Sequence, residues 1–325
     1  MSAFEPPRDA RISQADFDRC LDEARALARD PVVGLFGPDT VAWRVLRESA
    51  VFLGAGRAVL LQLAHPYIAH SIAQHSAVRT DPIGRFQRTF GGVYPMVFGD
   101  VDEALACARR VRRVHDRIHG VIDEAVGGLA PGHRYHAHDA GAVLWVFATL
   151  VETSVMAYEL AVAPLTAPER DQFYRELTRF ALLFGLDASA VPPDWESFAR
   201  YCRAMWDGPL LDVGRPAREI AGFLLAGGTA PSRAVFAWYR VLTAGLMPPR
   251  LREAYGLPMG RSHELVHRTS LRGIATTMRR LPELARVVPY YVEALRRIRG
   301  RPRPDRWRRR AAGIVIETLK PAAPR

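Results

Sequence analysis

The stretch VDEALACARRVRRVHDRIHGVIDEAV, residues 101–126, decides the fold of this 325-residue chain. Ala104, Ala108, Val111, Ile118 and Ile122 lie on steps of four and three once His115 is set between Val111 and Ile118. That alternation marks one face of an α-helix. The other face holds Arg109, Arg110, Arg112, Arg113, Asp116 and Arg117, which predicts a solvated surface. The pattern predicts one long helix over 101–126, with His115 facing the core and His119 at the edge of the same stripe.

The rest of the chain reads the same way. Ser13 caps a first helix that runs to Arg29. Further helices are predicted over 39–53, 55–64, 66–75, 82–90, 140–163, 167–184, 194–207, 215–226, 231–246, 262–280 and 289–299, with a loop over 129–138. Strand alternation is scarce and no repeat is visible. The expected fold class is all-α, a multi-helix bundle. The expected organisation is an N-terminal helix and lead-in over 1–30, a large helical domain over 31–289, and a basic helix and tail over 290–325.

Composition narrows the class. Hydrophobic residues make up 49 % and charged residues 24 %, as in ordinary globular proteins. From Tyr290 onward, ten Arg and Lys320 face Glu293, Asp305 and Glu317, a surplus of eight out of the net +11. The basic character thus belongs to the tail, which reads either as a solvated helix end or as a patch attracted to an anionic membrane surface. Trp307 is the single aromatic in the most basic run, too little interleaving for specific nucleic-acid binding. Cys20, Cys107 and Cys202 are far apart and in no CxxC spacing, which fits a reducing compartment. The N-terminus has no signal-like apolar stretch, and the longest charge-free apolar run, 140–151, is short for a bilayer span. A cytoplasmic location is expected.

Ionisable groups inside apolar helices cost free energy unless they are paired or ligated, and this chain concentrates several. Gln62 and His65 share a helical face up to Pro66, and His75 follows near the end of the next helix. Asp81-Pro82 reads as a helix start. It would place Arg85, Arg88 and Thr89 on one face, where two guanidiniums and a hydroxyl suit carboxylates. His115 serves equally well as a core histidine held by a carbonyl or carboxylate, or as a ligand to a buried metal. His263-Glu264-Leu265-Val266-His267 carries the HExxH pattern of zinc hydrolases. No third histidine follows it, and the next acids, Glu283 and Glu293, are poorly placed.

The run AVLLQLAHPYIAHSIAQHSAVRTDPIGRFQRTF, then VFGD, VRRVHDRIHG and YHAHDAGAVLWVFATLVE, resembles the MpaB-like, rubber-oxygenase catalytic domain family. That family includes bacterial latex-clearing proteins and fungal MpaB-type oxygenases. The likeness covers about residues 30–250. It implies a haem b protein with a globin-like helical core and an axial histidine from the long helix, here His115. It also implies an Arg/Thr element beside the haem, here Arg85, Arg88 and Thr89. From their places on the helical faces, Gln62 and His119 are expected as further cofactor contacts. The rubber-cleaving members are secreted and use a carboxylate shortly before the Arg/Thr element. Between His65 and Arg85 this chain has only Asp81, so His65, His70 or His75 would take the role of base.

The resemblance implies a haem-dependent oxygenase that uses dioxygen on a small or lipophilic organic substrate, with C=C cleavage as one outcome. The catalytic candidates are Arg85, Thr89, His75 and His65, and the metal ligand is His115. The alternatives are a non-catalytic haem or ligand-binding protein and a zinc hydrolase acting through 263–267.

Overall fold

The computed structural model describes Phe4 and residues 10–75, 92–226 and 230–301. The expected helix over 82–90, with Asp81, Arg85, Arg88 and Thr89, lies outside the described residues, and so does the basic stretch 302–325.

The chain is an all-α, multi-helix protein, and the described residues include one small hairpin. In order, the helices are α1 (Gln14–Leu27), α2 (Val41–Leu46), a 3-10 turn (Ser49–Gly54), α3 (Ala55–Leu63), α4 (Pro66–His75), α5 (92–98) and α6 (Val101–His115). After the hairpin come α7 (Ala140–Ala161), α8 (Ala167–Leu182), α9 (Trp195–Asp207), α10 (Arg215–Ala226) and α11 (Ala230–Leu246). The last are α12 (Pro249–Ala254), α13 (Arg261–Arg280), α14 (Glu283–Arg286) and α15 (Pro289–Ile298).

Caps explain the starts. Ser13, Asp100, Asp139 and Asp194 each accept from a backbone N–H of the first turn, and Thr166 with Glu169 forms a capping box. Pro66 separates α3 from α4, because it lacks an N–H and its ring cannot continue the preceding turn.

α7 is the centre of the bundle. None of its 22 residues is exposed, and it packs on α2, α3, α8, α9, α13 and the 3-10 turn. It is long and apolar enough to cross a membrane, but 61 % of its most apolar window is buried inside the protein. That burial marks it as a core helix. Trp145 on α7 donates from Nε1 to the Leu61 carbonyl at 2.8 Å, and Trp43 on α2 donates to the Val97 carbonyl at 2.9 Å. Both indoles are buried with their polar atoms satisfied. The apolar core is continuous from Ile12 to Ala294 and takes in both α1 and α15.

The expected helix over 101–126 is too long. α6 stops at His115, the chain turns, and His119–Val121 forms strand β1, paired antiparallel with β2 (Arg134–His136). Gly120 and Val121 favour leaving the helix, and α4 takes up the backbone released. Gln74 Nε2 donates to the Val121 carbonyl at 2.9 Å and His75 Nε2 to the His119 carbonyl at 2.9 Å. A side chain at Gly120 would crowd Gln74 Oε1 and the Tyr135 ring, so glycine lets both pack closely on the hairpin. Ile122 therefore leaves the α6 stripe and packs with Val126 and Tyr135 in a small separate core.

Arg112 departs from the solvated face predicted for it. It is buried, lies over the Phe17 ring at 5.2 Å and donates to the Ile12 carbonyl at 3.1 Å. α1 covers this face, which the periodicity of α6 alone cannot show.

Candidate active site

The candidate residues fall into two groups. Gln62 and His65 belong to the α3–α4 junction. Gln62 Nε2 donates to Thr149 Oγ1 on α7 at 2.9 Å, which ties α3 to the central helix. His65 is 2 % exposed, and burial lowers its pKa to about 4. Its Nδ1 accepts from the Tyr67 backbone N–H at 3.3 Å. In this neutral ring the remaining proton sits on Nε2, so His65 is a donor at neutral pH.

The second group is a file of imidazoles at the foot of α6. The ring centroids of His115 and His138 are 5.9 Å apart, those of His138 and His136 5.1 Å, and those of His136 and His119 6.1 Å. His75 reaches the same place through the His119 carbonyl. His119 does not share a helical face with His115. It is exposed on β1, and its ring stacks on that of His136 across the hairpin.

Electrostatics separate the members of this file. Burial, then His138 and Arg112, lower the His115 pKa to about 4, so the ring is neutral at pH 7. Among the described residues nothing hydrogen-bonds to it. His138 is buried and donates from Nε2 to Asp116 Oδ1 at 2.8 Å. Burial lowers its pKa while Asp116 opposes the shift, and the same bond holds the Asp116 carboxyl below its usual range. His136 is lowered to about 4, by burial first and then by Arg11. Its Nδ1 accepts from the His138 backbone N–H at 3.1 Å. The result is one neutral, partner-free imidazole, a second oriented by a carboxylate, and a path of rings to the surface.

His136 and His138 were missed as site residues in the sequence. The signal was their spacing of two in Tyr135-His136-Ala137-His138, which reads as extended chain rather than loop. Arg85, Arg88 and Thr89 are among the residues not described.

The HExxH helix does not gather a metal site. His263 Nδ1 is occupied at the start of α13, where it accepts from the Gly260 N–H at 3.4 Å, and Glu264 is exposed. The His267 ring packs on Gly245, where a Cβ would lie 2.3 Å from Nδ1. Among the described residues no third ligand joins them. A cleft of about 300 Å³ opens beside Glu152, Arg170, Cys202 and Trp206, and none of the candidate residues lines it.

Fold and cluster together define an all-α protein with a histidine-rich site at the foot of one helix. Residues 43–280 match the family described as ER-bound oxygenase mpaB/B'/Rubber oxygenase, catalytic domain. The chain belongs to this oxygenase family, and the family makes it an oxidoreductase that takes a small-molecule substrate and dioxygen. No curated protein and no solved structure matches it.

Proposed function

We propose that this chain is a haem b-dependent oxygenase of a small or lipophilic organic substrate, with His115 as its ligand to iron. The observation that carries the reading is the state of His115. It is a half-buried, neutral imidazole at a helix end, without a hydrogen-bond partner among the described residues. Such a nitrogen keeps its lone pair for a metal. The donor set therefore fits the group, and Arg112 Nη1, one turn back, adds a buried donor with no hydrogen-bond acceptor among the described residues.

Haem, when bound, would supply the activation of dioxygen. The protein's own contribution is orientation and protons. Asp116 fixes His138, and His138 packs beside His115 and limits the tilt of its ring. Protonation of His115 is opposed by burial and by its cationic neighbours, which keeps the nitrogen free across the neutral range. Arg85, Arg88 and Thr89 are assigned to carboxylate and oxygen contacts. For the base, His75 is favoured over His65. Its Nε2 is used on the His119 carbonyl, and its Nδ1 has no partner among the described residues.

The test is a visible spectrum of the purified full chain with oxygen uptake in the presence of an alkene. A Soret band with uptake supports the proposal. A Soret band without turnover of any organic substrate would favour a haem-binding protein that is not an enzyme. No Soret band after haem reconstitution would overturn the reading.

A further inference from the structure

We propose that His70, Asp123 and Glu124 form a divalent-cation site, separate from the His115 cluster, that clips α4 to the root of the hairpin. His70 is 1 % exposed. Its Nδ1 donates to the Pro66 carbonyl at 2.9 Å, so in the neutral ring Nε2 is the bare nitrogen. Nε2 faces Asp123 Oδ1 at 3.1 Å and Glu124 Oε1 at 3.6 Å. Three lone-pair-bearing atoms thus converge, all within 4.8 Å of one another. Such a contact needs a positive charge between its members, either a proton on His70 or a metal ion.

Geometry and surroundings favour the ion. Ligands about 2.1 Å from a tetrahedral zinc stand roughly 3.4 Å apart, and the observed separations of 3.1 and 3.6 Å bracket that value. A metal-bound histidine usually donates its other N–H to a carbonyl or carboxylate, as His70 does to Pro66. The carboxylates are also held from behind. Arg215 Nη2 binds Asp123 Oδ2 at 2.6 Å, and the Arg215 backbone N–H reaches Glu124 Oε1 and Oε2 at 3.0 and 3.1 Å. These contacts aim Asp123 Oδ1 and Glu124 Oε1 toward His70. Asp123 is 56 % exposed, which gives an ion a way in and leaves room for water as a further ligand.

One nitrogen and two carboxylate oxygens suit zinc, with manganese or ferrous iron held more weakly. His70 is on α4, the two acids follow β1, and Arg215 opens α10. An ion here would join three elements beside the hairpin that carries His119 and His136.

The experiment uses the full chain, stripped with a chelator and then incubated with zinc chloride at pH 7.5. Zinc retained after desalting is counted, and the melting temperature is read with and without zinc. The expected result is one retained equivalent and a higher melting temperature. His70→Ala and Glu124→Gln should each lose the equivalent and the shift, while His263→Ala keeps both. Glu124→Gln is a conservative surface change and guards against loss of fold in His70→Ala. Two results overturn the proposal. One is no zinc retained by the parent, which leaves the cluster a hydrogen-bonded contact without an ion. The other is zinc retained equally by His70→Ala and Glu124→Gln.

Discussion

His115 and His138 stand with ring centroids 5.9 Å apart and planes 55° apart, yet only His138 has a carboxylate, Asp116, to hold it. Two neighbouring imidazoles therefore have different work. His138 is fixed and hydrogen-bonded, and His115 is left neutral with a free nitrogen. On the proposed function, that difference makes His115 the ligand and His138 its support.

Histidines whose pKa is lowered in the fold set a pH dependence of stability. With a folded pKa of about 4 against an ordinary 6.5, His65 and His115 take up protons more readily in the unfolded chain. Stability is then greatest above pH 6.5 and falls as the pH drops from 6.5 toward 4. Each ring contributes up to about 1.4 kcal/mol per pH unit in that window. Glu169, held at about 2 by its cap contacts, adds its own loss only below its ordinary value of 4.5. His65→Asn keeps an acceptor for the Tyr67 N–H but cannot titrate. Urea denaturation at pH 7 and pH 5 should show a smaller drop for this variant than for the parent. An equal drop would remove His65 from the account.

Arg57 is the most heavily committed cation in the core. It is 3 % exposed, pairs with Glu152, donates to Thr153 Oγ1 at 2.8 Å and to the Leu246 carbonyl at 2.7 Å, and stacks on Trp206. It thereby joins α3, α7, α9 and the end of α11. Arg57→Met would strand Glu152 and the other acceptors, at a cost of about 3–5 kcal/mol, nearer the lower figure because Glu152 keeps some solvent. A loss below about 1 kcal/mol in urea titrations would show that water replaces the guanidinium.

The Arg/Thr element carries a prediction about turnover. On the proposed function, Arg85 anchors an anionic group and Thr89 contacts oxygen or ordered water. A charge-assisted hydrogen bond is worth about 1.5–3 kcal/mol and a neutral one about 1. Arg85→Ala should therefore lower the oxidation rate more than Thr89→Val, with partial haem loss for Arg85→Ala alone. Parent rates and full haem in both variants would place the active site elsewhere.

Most of the bundle is legible from periodicity and punctuation. α3, α4, α7 and α10 follow from apolar spacing and the Pro66 break. What is hidden depends on partners distant in sequence. His119–Val121 is three residues long and pairs with a segment thirteen positions on, so no local alternation marks it. Arg112 reads as solvent-facing because only the packing of α1 buries it. His119 moved from a helix edge to a strand for the same reason, since Gln74 and His75 capture the backbone that a longer helix would have used. The histidine file becomes visible only when the hairpin folds His136 and His138 back onto α6.

On the proposed function, His115 is the protein's hold on haem iron. Its most direct test is the visible spectrum and haem content of the purified full chain beside His115→Ala, with circular dichroism to confirm that both are folded. A Soret band and about one haem per chain are expected in the parent, with loss of stable haem in the variant, because the iron–nitrogen bond would anchor the cofactor. A folded His115→Ala protein with full haem and an unchanged spectrum would contradict it.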